Sequence, residues 1–189
     1  MRIVDYRTLG EEYFTHVLSL VMKRIESYGL TISYSGELSA TSGADFDGLS
    51  IVFTDKMQPE AVLFNVMHIF GHIIQWCTDP EHLILARRVI VPGNLLPELD
   101  LLAIKLYEQE ASEYSIQMLH DVGVYDLDQW ISDIWHWDWD YLEGVYVRNA
   151  PAEPALRYDY TKIPFGRTRL RPRPIPEFTP RRFGTRTVI

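Results

Sequence analysis

One cysteine, Cys77, stands in 189 residues, which excludes an internal disulfide and a four-cysteine zinc site and points to a reducing compartment. No window holds about 18 uninterrupted apolar residues, so no membrane span is expected. The opening Met1-Arg-Ile-Val-Asp-Tyr-Arg7 lacks a basic start followed by an apolar run, so no secretion signal is expected either. These absences predict a soluble cytoplasmic protein with no membrane partner. Positive charge is also scarce over most of the chain. Residues 161–189 carry eight Lys and Arg against Glu177 alone, a charge of +7, so the net −8 leaves −15 on the rest. An acidic body lacks the basic face that phosphate contacts need, and nucleic acid is expected only through the basic tail. A tail lying across its own acidic body accounts equally for the asymmetry. Nothing in the composition names an oligomeric state.

The 47% of hydrophobic residues suffices for one core. Leu9 to Tyr28 follows a helical period through Tyr13, Phe14, Val17, Leu18, Val21 and Ile25, and Gly29 is placed to stop it. Leu30–Tyr34 and Leu49–Phe53 read as strands, with a Gly/Ser/Thr loop between them and an Asp47-Gly48 turn. A helix is predicted from Pro59 to Trp76. After Asp79-Pro80 the pattern is ambiguous between a short helix and extended chain, and Pro92-Gly93-Asn94 marks a turn. A second long helix is predicted over 97–121. Its apolar face is drawn from Leu99, Leu102, Ala103, Leu106, Tyr107, Ala111, Tyr114, Met118 and Leu119. A short helix through Trp130 and Ile134 follows, and then Trp135-His-Trp-Asp-Trp-Asp-Tyr141, read as a packed lid or flank. Prolines from 151 onward rule out regular helix. The expected division is a domain over 1–149 and an extended Pro/Arg-rich tail over 150–189, its last residues mobile.

Chemistry concentrates in Phe64-Asn-Val-Met-His68-Ile-Phe-Gly-His72-Ile-Ile-Gln-Trp76. His68 and His72 lie about one helical turn apart, so their imidazoles leave the same face and can meet one metal ion. Apolar neighbours on most sides predict burial, and a buried imidazole pair needs a partner. The zinc-peptidase pattern H-E-x-x-H adds a glutamate that serves as general base. Ile69 stands in that position. The third ligand is sought in Tyr107-Glu108-Gln-Glu110-Ala-Ser-Glu113-Tyr114. Glu110 and Glu113 share a helix face and Glu108 is read as pointing elsewhere. Glu110 beside the small Ala111 is the preferred ligand, with Glu113 in reserve, giving a His-His-Glu site with an open fourth position. His82, His16, His120 and His136 rank as structural or surface residues.

The order helix, strand, turn-strand, HxxxH helix and carboxylate-bearing helix resembles the ImmA/IrrE-type metallopeptidases, a compact branch of the zincins. The resemblance runs from about Leu9 to His120 and rests on His68, His72 and the 107–114 block. It implies an α+β, zincin-like minimal metallopeptidase domain, mainly helical with a small sheet, and zinc bound by His68, His72 and Glu110. With Ile69 in place of the base, the expected function is that of a zinc-binding pseudo-peptidase or regulatory binder with a peptide or protein partner. An active zinc hydrolase would need Glu108, Glu113 or Asp79 as its base. A non-haem iron site built from two histidines and a carboxylate is the remaining alternative.

Overall fold

The computed structural model describes residues 5–36, 44–89, 98–148, 162–183 and 187–188. Five helices and a small sheet make a mainly helical α+β fold. Helix α1, Glu11–Glu26, begins with Glu11 and Glu12 and ends with Lys23 and Arg24, each sign at the helix end whose partial charge it complements. Its buried stripe is Phe14, Val17, Leu18, Val21 and Ile25, as the periodicity predicts. Strands β1 (Thr31–Ser35), β2 (Ala44–Phe46), β3 (Ser50–Thr54) and β4 (Thr187–Val188) form one sheet in the order β1-β3-β2-β4. β1 runs parallel to β3, and β2 pairs antiparallel with both β3 and β4.

The β2–β3 turn is held by Asp47, whose Oδ1 accepts from Leu49 N (2.9 Å), Ser50 N (2.8 Å) and Ser50 Oγ (3.0 Å). Burial acts to raise the Asp47 carboxyl, but these bonds and the nearby Arg182 outweigh it and hold it below the usual carboxylate range. The next residue, Gly48, has φ 94° and no room for a side chain: a Cβ there would lie 2.3 Å from the Arg181 carbonyl oxygen and 2.4 Å from the Phe183 ring.

Helix α2, Pro59–Thr78, starts with proline in its first turn and is buried continuously from Ala61 to Trp76. It is long and apolar enough to cross a membrane by length and composition alone, yet 89% of that window lies inside the fold. Its apolar sides are occupied by protein, chiefly α1, α3 (Pro80–Val89), α4 (Glu98–Asp121) and the sheet. The ambiguity after Asp79 resolves as helix, and Pro92-Gly93-Asn94 lies outside the described residues. Gly71 lets α4 approach: a Cβ at Gly71 would sit 2.5 Å from the Ala111 carbonyl oxygen and 2.7 Å from its Cα.

Two expectations on the later helices are corrected. Helix α5 does not end near Ile134 but spans Asp128–Arg148, and the Trp-rich segment is part of it. Trp130, Ile131, Ile134, Trp135, Asp138 and Trp139 recur at helical spacing and are all buried. The inward face of α4 also differs from the one drawn from its leucines. Leu102 and Leu106 are 56% and 55% exposed, whereas Ile104, Tyr107, Ala111, Ser112, Ser115, Met118 and Leu119 are buried. Small polar residues take inward positions that hydrophobicity alone assigns to water.

The tail is docked where it is described, with Phe178 and Phe183 packed against the core. Asp133 Oδ atoms accept from Gly166 N and Arg167 N, and Ser132 Oγ accepts from Leu170 N. Leu170 and Ile163 are buried. Phe178 stacks on Tyr28 at 5.4 Å and meets Phe70 edge-on, while Phe183 contacts Trp76 at 5.4 Å. Phe183 N donates to the Asp47 carbonyl, and Arg182 pairs with the Asp47 carboxylate at 2.9 Å. The expected 149/150 boundary lies outside the described residues.

Removal of residues 178–189 therefore strips two packed phenylalanines and is expected to destabilise by about 3 kcal/mol or more, lowering Tm by roughly 6–12 °C. An unchanged melting curve would show that these residues contribute nothing. Gly71→Ala gains about 1 kcal/mol of helix propensity but presses a methyl against α4 backbone, an overpacking cost of about 1–3 kcal/mol. Because backbone cannot swing aside, the net expectation in urea unfolding is destabilisation, and a more stable variant would contradict the close crossing.

Candidate metal centre

The α2–α4 crossing brings three donor atoms together. His68 Nε2 lies 3.0 Å from Glu108 Oε2, His72 Nε2 lies 3.0 Å from His68 Nε2, and His72 Nε2 lies 3.4 Å from Glu108 Oε2. Tetrahedral zinc with bonds of 2.0–2.1 Å spaces its ligand atoms about 3.3 Å apart, so the triangle has the size such an ion requires. The histidines are 3% and 5% exposed. Glu108 is the most open of the three, its side chain 13% exposed. Phe64 stacks on the His68 ring and Tyr107 on the His72 ring, so the imidazoles are gripped by apolar faces.

The outer ring nitrogens are engaged as well. Gln75 Nε2 donates to the Tyr107 carbonyl oxygen and to Glu110 Oε2, each at 2.8 Å. Two acceptors fix which end of the amide is nitrogen, so Gln75 Oε1, 2.9 Å from His72 Nδ1, must accept a proton carried by that nitrogen. In the neutral ring the lone pair is then on Nε2, facing the centre. His68 Nδ1 lies 3.3 Å from the buried Ser112 Oγ. Both imidazoles thus present Nε2 inward and hold Nδ1 against an outer partner, the pattern of metal-ligating histidines.

The charges fit a site that wants a cation. Burial pushes the His68 imidazole down, the neighbouring His72 adds to this, and the opposing pull of Glu108 and Asp138 does not reverse it. Burial acts to raise the Glu108 carboxyl, but the charge of His72 and hydrogen bonds from both histidines hold it far below the usual range. A carboxylate that stays ionised beside a histidine that resists protonation leaves lone pairs in excess. One shared proton cannot serve all three edges of the triangle; a divalent ion at its centre can.

The structure brings His68 and His72 together, as their spacing predicts, and places Glu108 rather than Glu110 beside them. Glu108 joins them because Ile104, Glu108, Ala111 and Ser115 form the inward stripe of α4. Glu110 sits one flank over, with Oε1 2.7 Å from Arg173 and Oε2 3.6 Å from His82 Nε2. Glu113 pairs with Gln109 at 2.8 Å and Arg173 at 3.0 Å. Asp79 accepts from Glu81 N at the end of α2. His120 pairs with Asp128, His136 bonds the Thr168 carbonyl, and His16 is exposed. The available signal for Glu108 was Ser112 and Ser115, small residues suited to a close helix contact opposite Gly71. Gln75, Ser112, Arg173 and Asp138 were not singled out from sequence.

Comparison with protein-family models, curated proteins and solved structures gives no match for this chain.

Purified protein is expected to hold about one zinc per chain by elemental analysis. Glu108→Gln should abolish or greatly weaken binding, whereas Glu110→Gln, which removes no ligand atom, should retain a full equivalent at saturating zinc. Failure of the wild type to take up zinc after reconstitution would sink the centre. Retention of iron in preference to zinc would favour a two-histidine, one-carboxylate iron site instead.

Proposed function

We propose that this chain is a zinc-binding, metallopeptidase-like protein that has lost peptidase activity and serves as a regulatory binder of a peptide or protein. The observation that carries this reading is the convergence of His68, His72 and Glu108 from two packed helices, with Ile69 in the position where H-E-x-x-H enzymes hold their base. Zinc in such a site would supply Lewis acidity toward a water or carbonyl oxygen. The residues around it would orient the ligands and keep them dry: Tyr107 and Phe64 cover the rings, and Gln75 and Ser112 hold their outer nitrogens.

Proton transfer is the missing function. Ile69 is fully buried in the core and can neither take nor deliver a proton. The three acids that sequence offered as substitutes are engaged otherwise. Glu108 is itself a ligand in this reading, Glu113 is tied to Gln109 and Arg173, and Asp79 caps the start of α3. Loss of a general base typically removes about 10²–10⁴ in rate. The likeness to ImmA/IrrE-type peptidases supports the ancestry of the site, and cytoplasmic residence accords with the single thiol.

Zinc-loaded wild type is expected to leave casein and generic peptide libraries uncut. Ile69→Glu should be less stable by about 3 kcal/mol, because it puts a carboxyl into a fully buried core position. Slow zinc-dependent cleavage gained by that variant would support a surviving peptidase cleft. Robust cleavage by the wild type would overturn the reading and favour a hydrolase based on Asp138, the buried acid on α5 whose charge reaches His68.

A further inference from the structure

The C-terminal strap reaches the metal centre through a continuous chain of polar contacts. Arg173 is fixed on α4 three times: its backbone N donates to the Glu113 carbonyl at 3.2 Å, its Nε to Glu113 Oε2 at 3.0 Å, and its terminal nitrogen to Glu110 Oε1 at 2.7 Å. The other Glu110 oxygen accepts from Gln75 Nε2, and Gln75 Oε1 accepts from His72 Nδ1. Every link is between 2.7 and 3.0 Å once Arg173 is in place. Gln75 is 1% exposed, so no water competes for its amide.

We infer that Arg173 is a positioning residue of the metal centre: from the strap it fixes Glu110, which orients Gln75, which sets the tautomer and angle of His72. The inference rests on the metal reading for its consequence, but the proton arrangement at His72 holds with or without an ion. Each link has one sense only. The guanidinium can only donate, so both Glu110 oxygens are used as acceptors, one for arginine and one for the amide. With the amide nitrogen so committed, its oxygen faces His72 and requires Nδ1–H. A strap released from α4 takes the guanidinium from Glu110 and leaves the Gln75 amide held through the Tyr107 carbonyl alone once the carboxylate turns. That loosens its hold on His72 and lets the proton shift toward Nε2, where it blocks the ligand atom. The strap segment is therefore part of the site, and anything that lifts residues near 173 from α4 lowers metal affinity.

The sign of the effect separates this role from simple electrostatics. Deleting a cation near a cation site strengthens zinc binding by relieving repulsion. Loss of positioning weakens it, and replacement of outer partners of ligating histidines typically costs about 10–100-fold in affinity. Arg173→Ala is expected to weaken zinc binding by about tenfold in competition with a chromophoric chelator. Arg171→Ala, an equal charge change at an exposed position in the same strap, should leave affinity unchanged or slightly tighter. Arg173→Lys keeps the charge and the strap but gives up the fork that engages Glu110 and Glu113 together, so it should also lose affinity, and it serves if Arg173→Ala does not fold. In metal-free protein, ¹⁵N NMR of the imidazoles should show His72 with its proton on Nδ1 in the wild type and a shift toward the other tautomer in Arg173→Ala. Equal or tighter zinc binding by Arg173→Ala and Arg173→Lys, with the His72 tautomer unchanged, would overturn the inference. Absence of zinc binding by the wild type would sink the metal reading alone, because the tautomer measurement still decides the relay.

Discussion

The contact on which the site depends is the one between Gly71 and Ala111. No side chain intervenes there, so two helix backbones meet, and His68 and His72 on one side of the crossing face Glu108 on the other. A larger residue at either position would separate the helices by more than the triangle can absorb, since ligand atoms spaced for zinc tolerate errors of only a few tenths of an ångström. The glycine costs about 1 kcal/mol of helix propensity. Packing along the rest of α2, buried from Ala61 to Trp76, offsets that cost.

A helix buried on all sides cannot satisfy polar side chains with water, so each one it carries must be answered from another element. Asn65 returns its amide to the Ala61 carbonyl within the helix. His68 meets Glu108 and Ser112, and His72 meets Gln75, which in turn meets Tyr107 and Glu110. Trp76 donates to the Tyr107 hydroxyl at 2.8 Å. These partners lie on α2 and α4, so the buried polar groups of α2 and the candidate metal centre are largely one construction. Ionised Glu108 beside a His68 imidazole that resists protonation is the part of that network that a cation would complete.

The tail closes the structure from outside. Asp133, fully buried, accepts from Tyr6, Gln129, Gly166 and Arg167 and so ties the N-terminal segment, α5 and the start of the strap together. Further along, Arg173 bridges Glu110 and Glu113, Phe178 and Phe183 pack on the body, and β4 completes the sheet beside β2. The positive tail on the negative body, visible as a charge asymmetry, is realised as specific pairs. Gly48 leaves the space through which the strap passes, so the turn and the tail constrain each other.

Periodicity and spacing by themselves determined much of this protein. α1, α2 and α4 follow from apolar repeats and their stop signals, because amphipathic helices are written locally. The meeting of His68 and His72 follows from a separation of one helical turn, which no tertiary context is needed to impose. Tertiary structure alone decided which carboxylate joins them. The rotation of α4 was set by Ala111 fitting against Gly71 and by Ser112 and Ser115 accepting burial, and it left Leu102 and Leu106 exposed against the hydrophobic pattern. β2 and β4 are too short to be marked by alternation and exist through pairing with β3 and with each other. The length of α5 depends on tryptophans that only the packed interior distinguishes from a loop. Arg173 enters the site from sixty residues beyond Glu113, a contact that local sequence cannot encode because chain distance carries no information about which surfaces meet.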